Sequence, residues 1–395
     1  MATTELYNLE QTFTAIWNNG TGREIMEQPV TAIWNNDTSP EIKLMEDYLE
    51  YKISWKIFQV YVPICTFFGI CGNTMSFLVL MFSNLRHTST CIYMATISCL
   101  DTVILSVVLC YHVNRYPGVN VFHSWTCSVI TFLFYFSIHF DTLLLLAMTA
   151  ERYIVVRFPL KAASITRKKT LMIIAGIGTF SLALNLHIFF TRGMNEVDGR
   201  SFCGYTGEME KYFVTKVYPW IDSTIYCFIP MSSLFILNIL IISNIRKAGK
   251  IQKKMVANGN GVSTGRGNGE NKGQKQVTLM LVLVSVAFLL LAGPIAILII
   301  TQRYLWIPKT PYDRALNWLA HSFTDNLMYT NHAINFVLYL VSGQRFRGEV
   351  KRVFCGRGRK YTASSSTQRP TDQSFVTETS SQLSQSNVPV SIPLE

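Results

Sequence analysis

Asp101 falls near the middle of an apolar stretch, residues 91–113, and a carboxylate at that depth in a bilayer is costly unless it meets partners. A later stretch, 314–341, offers such partners in Asn331, His332 and Asn335, with Tyr339 one turn further on. Between them, the run 124–156 closes on Glu151-Arg152-Tyr153. An arginine at the end of a membrane helix must be paired or hydrated, and simple snorkelling to water is the plainest way to meet that need. Set among matching features on other helices, it reads instead as a functional candidate. These residues do not assemble a reaction. No nucleophile–base set and no cluster of metal ligands is visible on either face, and His112, His139, His187, His321 and His332 are spread over different stretches. The chain is not expected to be an enzyme.

Seven apolar runs must position these groups: 55–82, 91–113, 124–156, 170–190, 217–245, 277–301 and 314–341. Each is near or beyond the roughly 20 residues that cross a hydrocarbon core of about 30 Å. A chain that is 49% hydrophobic and 15% charged, with a mean hydropathy of +0.24, belongs with membrane proteins. The expected fold is an all-α membrane protein, a seven-helix transmembrane bundle. Lys and Arg sort the connections. Of 35, 22 fall at Arg86, in 157–169, in 246–275 and beyond 342, which predicts those segments cytoplasmic and the N-terminus extracellular. The net charge of +11 then reflects an anionic inner leaflet and acidic partners there, not nucleic acid.

The segment before residue 55 lacks the apolar core of a signal peptide, so the first crossing is expected to serve as its own insertion signal. It is acidic and repeats TAIWNN at 14–19 and 31–36, each copy ending in a sequon, at Asn19 and Asn36. Both are expected to be glycosylated. Of nine cysteines, Cys65, Cys71, Cys91, Cys99, Cys110 and Cys227 fall in or near apolar runs, where a thiol serves as a small filler. Cys127 and Cys203 alone face the oxidising side and are expected to pair, pinning the loop 191–216 as a lid. Residues 257–273, rich in Gly and Asn, read as a flexible linker. After the seventh run, 344–354 sets apolar against basic residues, as in a short amphipathic cytoplasmic helix on the membrane, with Cys355 placed for palmitoylation. The last stretch is rich in Ser, Thr and Gln and carries Ser374, Thr377 and Ser380 three apart; it is expected to be disordered and phosphorylated. The organisation expected is a glycosylated extracellular tail over 1–54, a seven-helix domain over 55–341, a membrane-surface helix over 342–355 and a disordered tail over 356–395.

Together the seven runs, Cys127 and Cys203, Glu151-Arg152-Tyr153, Asp101, Pro230, Pro294 and Asn335-x-x-x-Tyr339 resemble the rhodopsin-like (class A) G-protein-coupled receptors over residues 55–355. The run TNHAINFVLYLVSGQRFR looks most like invertebrate neuropeptide receptors of the FMRFamide and myosuppressin kind, where Phe takes the place of a proline, here at Phe336. The resemblance implies a G-protein switch made of Glu151, Arg152, Tyr153, Pro294, Asn335 and Tyr339. On activation Arg152 parts from Glu151 as the inner end of the sixth helix swings outward. It implies an ion site at Asp101, Asn331 and Asn335, to which this chain adds Asp141 where the family commonly has Ser. Two acids there would hold an allosteric sodium ion, share a proton, or leave Asp141 to a partner such as His332. No other cofactor is expected. Three departures stand out: Leu291-Ala292-Gly293-Pro294 lacks the family's aromatic switch residue, Phe336 removes the proline kink of the seventh helix, and the fourth run lacks its usual tryptophan.

The same resemblance narrows the ligand. Phe134 stands where amine receptors carry an aspartate, and Tyr329 where opsins carry their retinal lysine. The pocket implied is Tyr111, Phe134, Tyr135, Asp222, Gln302, His321 and Asp325, taking a short extracellular peptide with Asp222 or Asp325 facing a cationic group. Other partners implied are a heterotrimeric G protein, a receptor kinase, arrestin and the lipids of the plasma membrane. A receptor for a lipid or chemosensory molecule is the alternative within the class. A seven-helix channel or transporter is the alternative outside it, disfavoured because no inverted repeat is seen in the hydropathy.

Overall fold

The computed structural model describes residues 45–83, 86, 88–116, 119–162, 164–197, 200–257, 265–306 and 308–355. The sequons at Asn19 and Asn36 and the hydroxyls of Ser374, Thr377 and Ser380 lie outside these residues, as does the side chain of Cys355. Apolar runs in lipid must satisfy their own backbone groups, which makes them helices. The long ones are α1 (Leu49–Phe82), α2 (Ser89–Val113), α3 (Ser124–Arg157) and α4 (Arg167–Asn185). They continue with α5 (Ile229–Ala257), α6 (Gly265–Tyr304) and α7 (Pro311–Ala333). Two short helices follow, α8 (Asn335–Ser342) and α9 (Gln344–Cys355). Six spans are long and apolar enough to cross a membrane by length and composition alone. The seventh is α7 with α8, whose many polar residues mask it from a hydropathy criterion while it packs against α1, α2 and α6.

Four boundaries differ from the sequence reading. First, α1 starts at Leu49 rather than 55, because Tyr48 and Tyr51 pack on Tyr312 and Trp318 of α7 at 5.7 and 5.8 Å and draw the first turns into the bundle. Second, the segment read as a linker over 257–273 is partly helical, since α6 already begins at Gly265. A helix nucleated by a long apolar span extends at about 1 kcal/mol per glycine. Third, the loop after α4 is not coil but an antiparallel hairpin, β1 (Arg192–Val197) with β2 (Arg200–Tyr205), in which Met194 faces Cys203. Fourth, the seventh helix breaks at Ile334 without a proline. Asn73 Nδ2 donates to the backbone oxygen of His332 at 2.8 Å, and a side chain entering the backbone ladder is a sufficient cause of a kink.

The start of α7 is capped locally. Thr310 Oγ1 accepts from the Asp313 amide at 3.1 Å, and Asp313 Oδ2 accepts from the Thr310 amide at 3.0 Å. Those amide donors hold the Asp313 carboxyl below its usual range. Between Glu208 and α5 the chain stays helical but widens twice, over Phe213–Val217 and Ser223–Phe228. The second widening ends just before Pro230, whose missing N–H cannot continue a regular ladder.

The core has two apolar clusters stacked along the bundle. One gathers Leu100, Leu144, Met148, Phe288, Ala292 and Tyr339. The other gathers Ile104, Ile138, Ile295, Tyr329 and the Cys127–Cys203 pair. On the helices that contribute to both, polar residues or a proline fall between them: Asn73 and Ser76 on α1, Asp101 on α2, Asp141 on α3, Pro294 on α6, and His332 and Asn335 at the α7–α8 junction. Close approach of α1 to α2 and α7 depends on Gly69, where an added Cβ would lie 2.4 Å from Leu105 Cδ1 and 2.8 Å from Ala333 Cβ. Small residues that let backbones meet are a general device of membrane bundles. Of the thiols read as fillers, Cys65, Cys91 and Cys227 are buried, whereas Cys71 and Cys99 are exposed on the outside of the bundle.

Candidate functional site

At the centre of the polar layer is Asp101, fully buried. His332 Nδ1 is hydrogen-bonded to its Oδ1 at 2.7 Å, and Asn335 Nδ2 donates to its Oδ2 at 2.7 Å. Asp141 is close by: its Oδ2 lies 3.8 Å from the same His332 nitrogen. The imidazole thus sits beside both carboxylates but bonds only one. Ligand atoms of Asp101, Asp141 and His332 all lie within 4.8 Å of one another. Asp141 Oδ1 and His332 Nε2 are buried without a hydrogen-bond partner. An orphaned carboxylate oxygen beside a second carboxylate suits a hard cation such as sodium, which takes oxygen ligands, and to that extent the residues fit the ion. Asn331 is buried too, yet no hydrogen bond among the described residues joins it to this group.

At one end of the bundle lies the arginine motif. Glu151 is buried and Arg152 half-buried, and Arg152 Nε has no hydrogen-bond partner. Among the described residues no ion pair within 4 Å joins Arg152 to Glu151, so the pairing implied by resemblance is not formed here. Adjacent residues on a helix project about 100° apart and do not face each other. Tyr153 packs edge-on to Phe158 at 6.5 Å. Tyr339 is fully buried against Phe346 of α9, and its hydroxyl has no partner. Gln276 Nε2 donates to the Ser342 carbonyl at 3.2 Å, joining α6 to the end of α8.

The other end carries the disulfide. Cys127 and Cys203 are bonded, with Cα atoms 5.5 Å apart, and Ser128 Oγ donates to Arg192 O at 2.7 Å. The hairpin is therefore tied to the start of α3. The seven residues implied as a pocket fall into separate groups. Tyr111, Phe134 and Tyr135 pack on one another in an aromatic group that Phe122 and Tyr218 extend. Asp222 is taken by His139, with Oδ1 and Nε2 3.1 Å apart though not aligned as a hydrogen bond. Tyr218 OH donates to Asn185 Oδ1 at 2.7 Å beside them. Gln302 is bonded to Asn317 and His321. Of the seven, His321 and Asp325 line a cavity that lies between α1, the end of α2 and α7.

Sequence reasoning missed that cavity and its other walls, Trp55, Phe58, Arg115 and Trp318. The signal available was weak, because an aromatic residue in an apolar run looks the same facing lipid or a pocket. His139 is a related case: nothing local in the sequence links it to Asp222 on another helix.

Residues 72–339 match the 7 transmembrane receptor (rhodopsin family) profile. With more than half the chain matched, an all-helical bundle and a disulfide-tied hairpin, the chain belongs to the rhodopsin family of seven-transmembrane, G-protein-coupled receptors. It is a multi-pass membrane protein of a receptor family, not an enzyme family. Among its relatives is the thyrotropin-releasing hormone receptor of Mus musculus, 27% identical over 328 residues, covering 77% of this chain and 80% of that one. The Homo sapiens thyrotropin-releasing hormone receptor is 26% identical over 308 residues, 72% of this chain and 74% of that one. Neuropeptide receptor 22 of Caenorhabditis elegans is 25% identical over 296 residues, 70% of this chain and 64% of that one.

Proposed function

We propose that this receptor lies in the plasma membrane with its N-terminus outside, takes a short peptide at the disulfide end and passes the signal to a heterotrimeric G protein at the Arg152 end. The observation that carries the peptide reading is the kind of relative it has, a hormone receptor and a neuropeptide receptor. A cavity with polar and aromatic walls has the character of a ligand site. The sorting of basic residues supports the orientation.

Activation is a shift between two packings, and ligand drives it only by binding one better than the other. The polar layer is suited to that role, since it separates two close-packed clusters that cannot deform continuously. Asp101, with Asn335 and His332, links α2 to the α7–α8 junction. Pro294 gives α6 its bending point, and Arg152, unpaired with Glu151 and half-buried, is placed to meet the G protein when α6 moves. Asp101 and Asp141 are the residues that would hold an allosteric sodium ion, which would offset two acids in one buried site. Glycans at Asn19 and Asn36, a palmitoyl group at Cys355, and phosphates at Ser374, Thr377 and Ser380 for receptor kinase and arrestin complete the reading.

Within the peptide class, we favour amidated peptides of the FMRFamide and myosuppressin kind, on the strength of 330–347. The test is a library of amidated neuropeptides applied to cells expressing the full chain, read by G-protein activation at matched surface density. At least one peptide is expected to activate at submicromolar concentration. Activation by lipids with none by any peptide would overturn the reading.

A further inference from the structure

A polar link between two helices crosses the apolar packing at the Arg152 end. Asn238 of α5 and Ser285 of α6 are 4% and 0% exposed, and Ser285 Oγ donates to Asn238 Oδ1 at 2.9 Å. Their neighbours along the two helices, Leu234, Ile241, Leu281 and Phe288, are buried and apolar. Asn238 Nδ2 is buried without a partner. Turned over, the amide would present Nδ2 to Ser285 Oγ and free the serine hydrogen for the Leu281 carbonyl, 3.0 Å away. The link holds in either orientation, because an asparagine amide carries a donor and an acceptor at equivalent places.

The place of this link on α6 gives it a role. Ser285 precedes Pro294 by nine residues, about 13 Å along the helix. A swing of the inner end of α6 about Pro294 carries Ser285 away from α5, which is itself packed on α3. Apolar side chains can slide past one another, but a hydrogen bond is lost once its atoms part beyond about 3.5 Å. The bond therefore favours the packing seen here over one with α6 displaced. A second tie, from Gln276 Nε2 to Ser342 O at 3.2 Å, joins α6 to α8. It is only partly buried, so water replaces it at little cost.

We propose that Asn238 and Ser285 are positioning residues of the receptor switch, whose hydrogen bond latches α6 to α5 and sets how strongly the receptor signals without ligand. The proposal rests on the G-protein reading above and not on the peptide reading. Removing the serine hydroxyl leaves the Asn238 amide dry and unpaired in the closed packing, which is costly. In the open packing water reaches that amide from the parted helix ends. The equilibrium then moves toward the open form with no ligand present.

The experiment measures ligand-free GTPγS exchange per receptor in membranes from cells expressing the full chain at equal surface density. Wild type, Ser285→Ala, Asn238→Ala and the double variant are compared. Either single is expected to raise basal exchange by about five-fold, the size of one typical net hydrogen bond. The double is expected to add nothing to the singles, as for two ends of one bond. Loss of packing alone would instead lower surface density and make the two effects multiply. Wild-type exchange in Ser285→Ala, or multiplied effects in the double, overturns the latch. If one single variant fails to reach the surface, the other decides by the same criterion. A second readout needs no G protein: spin labels on ketone-bearing amino acids replacing Lys168 of α4 and Leu279 of α6, both exposed. Ser285→Ala is expected to enrich the longer distance between them, and an unchanged distribution overturns the latch. If distances lengthen while no receptor, wild type included, drives exchange, the latch stands and the G-protein reading falls. If exchange is present and equal in all four, the latch falls and the G-protein reading stands.

Discussion

Cells expressing Cys127→Ser, Cys203→Ser or the double variant are expected to show no specific ligand binding at the surface, the double being no worse than either single. The bridge spans 76 residues of sequence with Cα atoms 5.5 Å apart. Closing a loop of that length constrains the unfolded chain by about 4.5 kcal/mol on the chain-entropy account. The hairpin it anchors has only two strands, and an isolated two-stranded hairpin is marginal in water. Among its further ties to α3 is the Ser128 bond to Arg192 O, about 1 kcal/mol net. Without the bridge the hairpin is free to leave the mouth of the bundle. The second sulfur then has nothing left to lose, which is why the losses do not add. Normal binding in single and double variants, at matched surface density, would refute the tethered-hairpin account.

The second large effect concerns the paired acids. Agonist affinity is expected to fall by about five-fold or more as sodium replaces an inert large cation, a coupling of ordinary allosteric size, and Asp141→Asn should largely remove the dependence. Asp101 already has two hydrogen-bond partners, His332 and Asn335. Asp141, 3.8 Å from His332 with one oxygen unpartnered, is the acid left in deficit. Two carboxylates sharing a dry site cannot both ionise cheaply, so a cation or a proton must settle the balance. If a proton does so, affinity depends on pH instead, and Asp141→Asn flattens the pH profile while sodium has no effect. Competition binding across sodium and pH separates these versions. Indifference of the wild-type receptor to both makes the pair purely structural.

Much of this was legible in the sequence because a bilayer leaves so few options. Twenty apolar residues must be a helix, Asp101 must find partners, and His332 and Asn335 are the polar groups of the seventh run that can supply them. What escaped depends on contacts between distant segments. The hairpin over Arg192–Tyr205 has no apolar alternation to announce it and exists through the bridge at Cys203. With Phe336 in place of a proline nothing local announces the break at Ile334, yet Asn73, far away in sequence, takes the His332 carbonyl there. The early start of α1 depends on aromatic residues of α7. The pocket was the least legible element: Asp222 and Gln302 looked free in one dimension, but His139 and Asn317 engage them in three. Asp325 was singled out as a cation partner, but not the aromatic wall opposite it.

The central claim is that the polar layer couples the disulfide end to the Arg152 end. Asp101 belongs to that layer, not to the ligand cavity or the arginine motif, so a substitution there isolates the coupling. The direct measurement is agonist affinity with the G protein bound and again after GTPγS has released it, using a peptide from the library. Linkage requires that a G protein favouring one packing raise affinity for an agonist that favours the same packing. In the wild-type receptor the bound G protein is expected to tighten agonist binding by about five-fold or more, and in Asp101→Asn the ratio is expected to approach one at equal surface density. A ratio in Asp101→Asn equal to that of the wild type would contradict the account.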